Sequence, residues 1–278
     1  MSNLPQDVLD LRLRGYAGGA IPEHRAFRRV PDRTRISWST IVLVVVMTTL
    51  TMAALPAIAS MWTVMLARLA PVLGLGEVIA SPRWIVPFIQ VEVPHVTANA
   101  PLPSRPVWWL TLLGSIVLLV VSFFLPKRVL PIAYLIRALL FVQVVSLTYF
   151  ALFAAHFPYT LAGYTSDMHT IGLAIIALVP IVYGVTYFVF DFGVVRKVWI
   201  VLASLGHLII FIPLQYLVHG AVVAKFSLLF LPVLFMIFGA LLDVSILIAL
   251  YGWAMSWKDR DERRVGRPGD PERRAVAR

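Results

Sequence analysis

Three ionisable side chains lie inside runs of apolar residues, where a charge is costly: Arg137, His207 and Asp243. Asp243 is flanked by Leu241, Leu242, Val244 and Ile246. Such groups inside a membrane helix mark either a structural ion pair or a path for protons or substrate. At a rise of ~1.5 Å per residue, Arg137, His207 and Asp243 fall ~9, ~13 and ~12 Å from the cytoplasmic ends of their predicted helices. They therefore share one layer, in which an Arg–Asp pair with a nearby His would lower the cost of burying all three. The plainer alternative is a pair that only fixes helix packing, with Arg137 stretching its head group back toward water.

A second set, His156, His169 and His219, falls near the opposite ends of the apolar runs. Imidazoles that met there could hold a metal or a haem edge. Their spacing matches no ligand motif, however, and histidine at an interface is ordinarily solvated. No metal and no cofactor is expected. Gln143 and Gln215 lie deeper and suit hydrogen bonds between helices. Pro180, Pro213 and Pro232 interrupt three runs, a weak pointer to a cavity. The pair Gly239 and Asp243 has the spacing of an ordinary helix contact.

Enzyme signatures are absent. The chain has no G-x-S-x-G, no H-E-x-x-H and no glycine-rich phosphate loop. Ser204 and His207 share one helix turn and cannot reach each other productively, and Asp191-Phe192-Gly193 has no kinase context. Without cysteine there is no disulfide, thiolate metal site or cysteine nucleophile.

What must position these groups is a membrane bundle. Hydrophobic residues make up 60% of the 278 and charged ones 14%, against roughly 25% charged in soluble domains. A spanning helix needs about 20 mostly apolar residues. Six segments meet that demand: 38–60, 107–125, 131–154, 170–190, 198–219 and 228–252. The expected fold is therefore all-α, a polytopic membrane protein of six transmembrane helices.

Cation placement predicts the orientation. Seven Arg precede Trp38, the turns hold Lys127, Arg128, Arg196 and Lys197, and eight Lys or Arg follow from Lys258. The other side holds Arg68, Arg83, Arg105 and Lys225. Nineteen against four predicts both termini in the cytoplasm of an inner membrane. The eight tryptophans fall near span ends or outside them, as an aromatic belt would. The net charge of +10 lies in tails and short turns, so it speaks for anionic headgroups rather than nucleic acid. Ala57-Ile58-Ala59 resembles a signal-peptidase site, but the 37 residues ahead of the run are too long for a leader, and cleavage would break the parity.

The expected organisation is a basic cytoplasmic segment over 1–37, a transmembrane domain over 38–257 with an external loop at 61–106, and a disordered charged tail over 258–278. Within the first segment Pro5 to Arg14 suits a short helix on the headgroups or a disordered topogenic tail. In the loop, Pro82 to Thr97 is β-prone, but Pro87 and Pro94 exclude a regular central strand. It reads as an extended lid or a docking surface for a membrane or periplasmic protein. A second external loop is expected over His156 to His169.

Three functions are compatible with these residues. The foremost is a non-catalytic subunit or accessory factor of an envelope or transport complex. The next is a small carrier using Arg137, His207 and Asp243, although no inverted repeat relates the two halves. An intramembrane enzyme comes third.

Overall fold

The computed structural model describes residues 38–186 and 194–265, with side chains described up to Ala254 except at Ser39, Lys127 and Ala240. The Pro5 to Arg14 segment, Asp191-Phe192-Gly193 and the tail beyond 265 lie outside the described residues.

Among the described residues, six helical segments are long and apolar enough to cross a membrane: Thr40–Leu69, Arg105–Phe124, Leu130–His156, Leu161–Thr186, Val194–Lys225 and Leu228–Ala254. The chain is a multi-pass membrane protein. Its elements are α1 (Trp38–Leu69), β1 (Val78–Val86), β2 (Ile89–Val96), α2 (Arg105–Phe124), α3 (Leu130–Phe153), α4 (Leu161–Thr186), α5 (Val194–Lys225), α6 (Leu231–Phe238) and α7 (Ala240–Val265). Helix α4 is the central one, with 56% of its most apolar window buried, against 11% for α2. It packs on α1 and α5, while α2 and α3 pair with each other and join the rest through α6. Leu110, Leu113, Val117 and Phe124 on α2 stay exposed, which only a lipid solvent or a partner makes tolerable.

The all-α expectation needs one correction. Residues 78–96 form an antiparallel hairpin, with Val78 opposite Val96 and Arg83 opposite Val91. In a two-stranded sheet both strands are edges, so Pro82 and Pro94 cost no ladder bond that a third strand would need. Val91 and Val93 alternate inward, and from Val93 to Val96 the strand is almost wholly buried as it enters the bundle end against α1 and α4. Of the two courses open to the apolar stretch Met61 to Leu73, lying along the outer interface or continuing the first helix, the chain takes the second: α1 runs to Leu69 and closes in a 3-10 turn, Pro71–Leu73. Gly74 and Gly76 then reverse the chain at φ +73° and +70°, a region that favours glycine.

The second external loop also contracts. Helix α4 begins at Leu161, where the Thr160 hydroxyl accepts the Gly163 N–H at 3.1 Å, so residues 161–169 are helical. Thr165, Ser166 and His169, which read as loop by polarity, are buried beneath the hairpin. At the far end α7 runs on to Val265, beyond position 258 where the charge pattern starts the tail.

Breaks in the helices are repaired from neighbours, as a dry solvent demands. Pro213 has no N–H for the Ile209 carbonyl, and the Trp62 indole of α1 donates to that oxygen at 2.7 Å. Trp62 is therefore wholly buried rather than part of an interfacial belt. Pro126 likewise leaves the Ser122 carbonyl free, and the Arg137 guanidinium donates to it at 3.2 Å. Near the start of α6, Ser146 donates to the Leu229 carbonyl at 2.7 Å. The sixth span is broken at Gly239, whose carbonyl opens the restarted helix by accepting the Leu242 and Asp243 N–H groups at 2.9 and 3.4 Å. A Cβ at Gly239 would collide with the Phe235 carbonyl, which explains why glycine suits the break.

Candidate functional site

Beneath the hairpin the core turns polar. Tyr216 of α5 donates to Asp243 Oδ2 of α7 at 3.3 Å, and Asp243 is fully buried. One turn further along α5, His219 Nδ1 shares a 2.8 Å hydrogen bond with the Tyr164 hydroxyl of α4. Tyr216 and His219 stand at i and i+3, so they share a face, and their rings meet edge-on at 5.3 Å. On α4, His169 packs against Tyr216 at 5.7 Å and against Trp62 at 5.5 Å.

His169 also fixes the hairpin. Its Nδ1 lies 3.0 Å from the Pro94 carbonyl. A carbonyl only accepts, so Nδ1 carries a proton and donates. His169 Nε2 is buried and has no hydrogen-bond partner among the described residues. Beside it the Val96 N–H donates to the Thr165 hydroxyl at 3.3 Å. At the rim Arg83 and Asp167 form a half-exposed ion pair at 3.7 Å.

The two sets of residues read from the sequence are thus divided differently. Asp243 is not joined to Arg137 or His207 but to Tyr216, whose ring in turn packs against His219 and His169. Tyr216 lies nine residues along α5 from His207, roughly 13 Å by helix rise. The common layer does not hold, because the sixth run does not end at 252: it breaks at Gly239 and its second helix, α7, extends to Val265. Arg137 is held within its own helical pair: Nε donates to the Ser122 hydroxyl at 3.2 Å, and the guanidinium carbon stands 4.3 Å from the Phe123 ring centre. His207 stacks on Phe211 at 5.0 Å, and its buried Nε2 has no hydrogen-bond partner among the described residues.

Of the histidine set, His169 and His219 converge around Tyr216, while His156 stays exposed in a 3-10 turn at the end of α3. Among the described residues no three His, Asp or Glu side chains converge as metal ligands. Sequence reasoning missed Tyr164, Tyr216 and Trp62. The i, i+3 relation of Tyr216 to His219 was the available signal for one of them. The arrangement can hold a carboxyl group in the bundle interior and give it hydroxyl and imidazole neighbours able to accept or donate protons.

No protein family model, curated protein or solved structure matches the chain. The functional reading therefore stands on its own residues.

Proposed function

We propose that the chain is a multi-pass protein of the inner membrane, with both termini in the cytoplasm, acting as a non-catalytic subunit or accessory factor of an envelope or transport complex. One observation carries this reading. The hairpin presents Phe88, 90% exposed, and Trp84, 62% exposed, at the tip of a stem that three contacts, at Arg83, Pro94 and Val96, tie to the bundle. A tied surface loses little entropy on docking, and exposed aromatics beside Arg83 and Glu92 suit a protein hot spot. The 19-to-4 cation asymmetry supports an outward-facing hairpin, so the partner is a membrane neighbour or an extracytoplasmic protein. The basic termini then meet anionic headgroups on the inner face.

Two measurements test this. The chain has no native cysteine, so single cysteines report cleanly. Cysteine at Phe88 or at the exposed Asp167 should react with an impermeant thiol reagent on intact cells, and cysteine at Arg128 only after lysis. The reverse pattern overturns the orientation. Serine at both Trp84 and Phe88 should abolish co-purification of partner proteins in mild detergent, whereas deletion of 266–278 should not. Loss only on the tail deletion moves the interface to the other face. Retained partners with weakened liposome association mean that the tip rests on headgroups instead.

A second reading, a small carrier, is favoured by the broken sixth span with an ionisable side chain at its break, a device that carriers use near the bilayer midplane.

A further inference from the structure

The sixth span stops at Phe238 and restarts at Ala240, and near that break two buried oxygens have no hydrogen-bond partner among the described residues. Gly239 leaves the helical conformation at φ −94° and ψ −136°. The Leu242 N–H turns back to the Gly239 carbonyl at 2.9 Å, which leaves the Phe238 carbonyl without its helical donor. Gln215 supplies one, its Nε2 lying 2.6 Å from that oxygen. A carbonyl cannot donate, so the nitrogen of the amide must face it. Gln215 Oε1 is thereby left as a buried acceptor with no hydrogen-bond partner among the described residues.

Asp243 stands in the first turn of the new helix, α7. Its Oδ2 accepts from Tyr216, and its Oδ1 is a second buried acceptor without a hydrogen-bond partner among the described residues. Asp243 is 0% exposed and Gln215 7%. Adjacent residues of α5, Gln215 and Tyr216, therefore bring one amide and one hydroxyl to the break from the same turn. Surplus buried acceptors are costly unless a donor or a cation meets them. A half-helix N-terminus favours a carboxylate in its first turn, so the break holds an anionic ligand ready in the interior.

We propose that the break at Gly239 is a site for one small monovalent cation, a proton on Asp243 or a sodium ion held by Asp243 and Gln215 oxygens. Among the described residues Tyr216 of α5 bonds Asp243 and Tyr164 of α4 lies within its electrostatic reach, while His219 and His169 stand one contact further off, against Tyr164 and Tyr216; α6 contributes no titratable group. Arg137 is engaged with Ser122 and does not neutralise Asp243. The inference deepens the carrier reading. A site that binds the cation without moving it would keep this inference and lose the carrier, so the two fail separately.

The test uses the purified full-length chain in lipid nanodiscs. Its thermal unfolding midpoint is measured in sodium chloride against choline chloride at equal ionic strength, at several pH values, for the wild type and Asp243→Asn. A sodium site predicts a saturable rise of a few degrees with sodium and not choline, lost in Asp243→Asn. A proton site predicts no sodium effect but a pH-dependent midpoint that Asp243→Asn flattens. A midpoint indifferent to both, or a response that Asp243→Asn retains, overturns the proposal. Should Asp243→Asn not fold, the wild type alone decides through the infrared carbonyl band of a protonated carboxyl. Loss of that band on adding sodium or raising the pH supports the site. A band unchanged under both, or absent with no sodium-dependent midpoint, overturns it.

Discussion

Replacing Trp62 by alanine is expected to cost about 3–5 kcal/mol, the range for removing a buried large aromatic and leaving a cavity. The indole is fully buried between α1, α4 and α5 and touches His169. It also holds the Ile209 carbonyl that Pro213 strands, so its loss adds about 0.6–2 kcal/mol for an interhelical hydrogen bond. Trp62→Phe separates the two effects, since it keeps most of the ring and removes the N–H. Pro213→Ala in the Trp62→Phe background should recover part of the loss, because residue 213 then donates to Ile209 itself. Thermal unfolding in detergent reads all four chains. If Trp62→Phe is silent and the double variant gains nothing, the carbonyl does not depend on the indole. Trp84, exposed on the hairpin, is the control: its substitution should stay within about 0.5 kcal/mol.

The contrast between those two tryptophans shows where sequence reading runs out. Both fall outside the first apolar run as bounded at residue 60, although the apolar stretch from Met61 to Leu73 leaves continuation of that helix open for Trp62. Helix α1 simply continues to Leu69, which draws Trp62 into the core, and only the packed bundle distinguishes it from Trp84. The six spans themselves were legible because lipid demands long apolar helices and little else. The start of α4 was not. Thr165, Ser166, Asp167 and His169 lower its hydropathy, yet three of the four are buried because the hairpin covers that end. The Thr160 cap was the local signal that marked the true boundary. Pro126 and Pro213 similarly announce that the Ser122 and Ile209 carbonyls lack donors. They do not say that Arg137 and Trp62 supply them, since that depends on which helices are neighbours. The site was half legible in the same sense. Asp243, His169 and His219 stand out as costly residues, but their assembly around Tyr216 requires the helix packing and the interruption at Gly239.

A mutant cycle on Tyr216, Asp243 and Arg137 decides whether that assembly or the Arg–Asp pair read from the sequence governs the interior. Tyr216→Phe removes the hydroxyl that donates to Asp243 Oδ2 and leaves a fully buried carboxyl group with no hydrogen-bond partner among the described residues. The expected cost is about 1–3 kcal/mol, larger if the group is ionised. In the Asp243→Asn background the same change should cost less, because no charge is stranded, giving a coupling of about 0.5–3 kcal/mol. Arg137→Gln releases the Ser122 carbonyl within the α2–α3 pair, and Arg137 shares none of its hydrogen-bond partners with Asp243. Its effect should add to that of Asp243→Asn within about 0.5 kcal/mol. Unfolding midpoints in detergent at one fixed pH measure the whole set. Strong coupling of Arg137 to Asp243, with none between Tyr216 and Asp243, would restore the ion pair and remove the cation site together. Coupling of Tyr216 alone leaves Asp243 without a resident countercharge, the condition under which a mobile cation has a reason to bind.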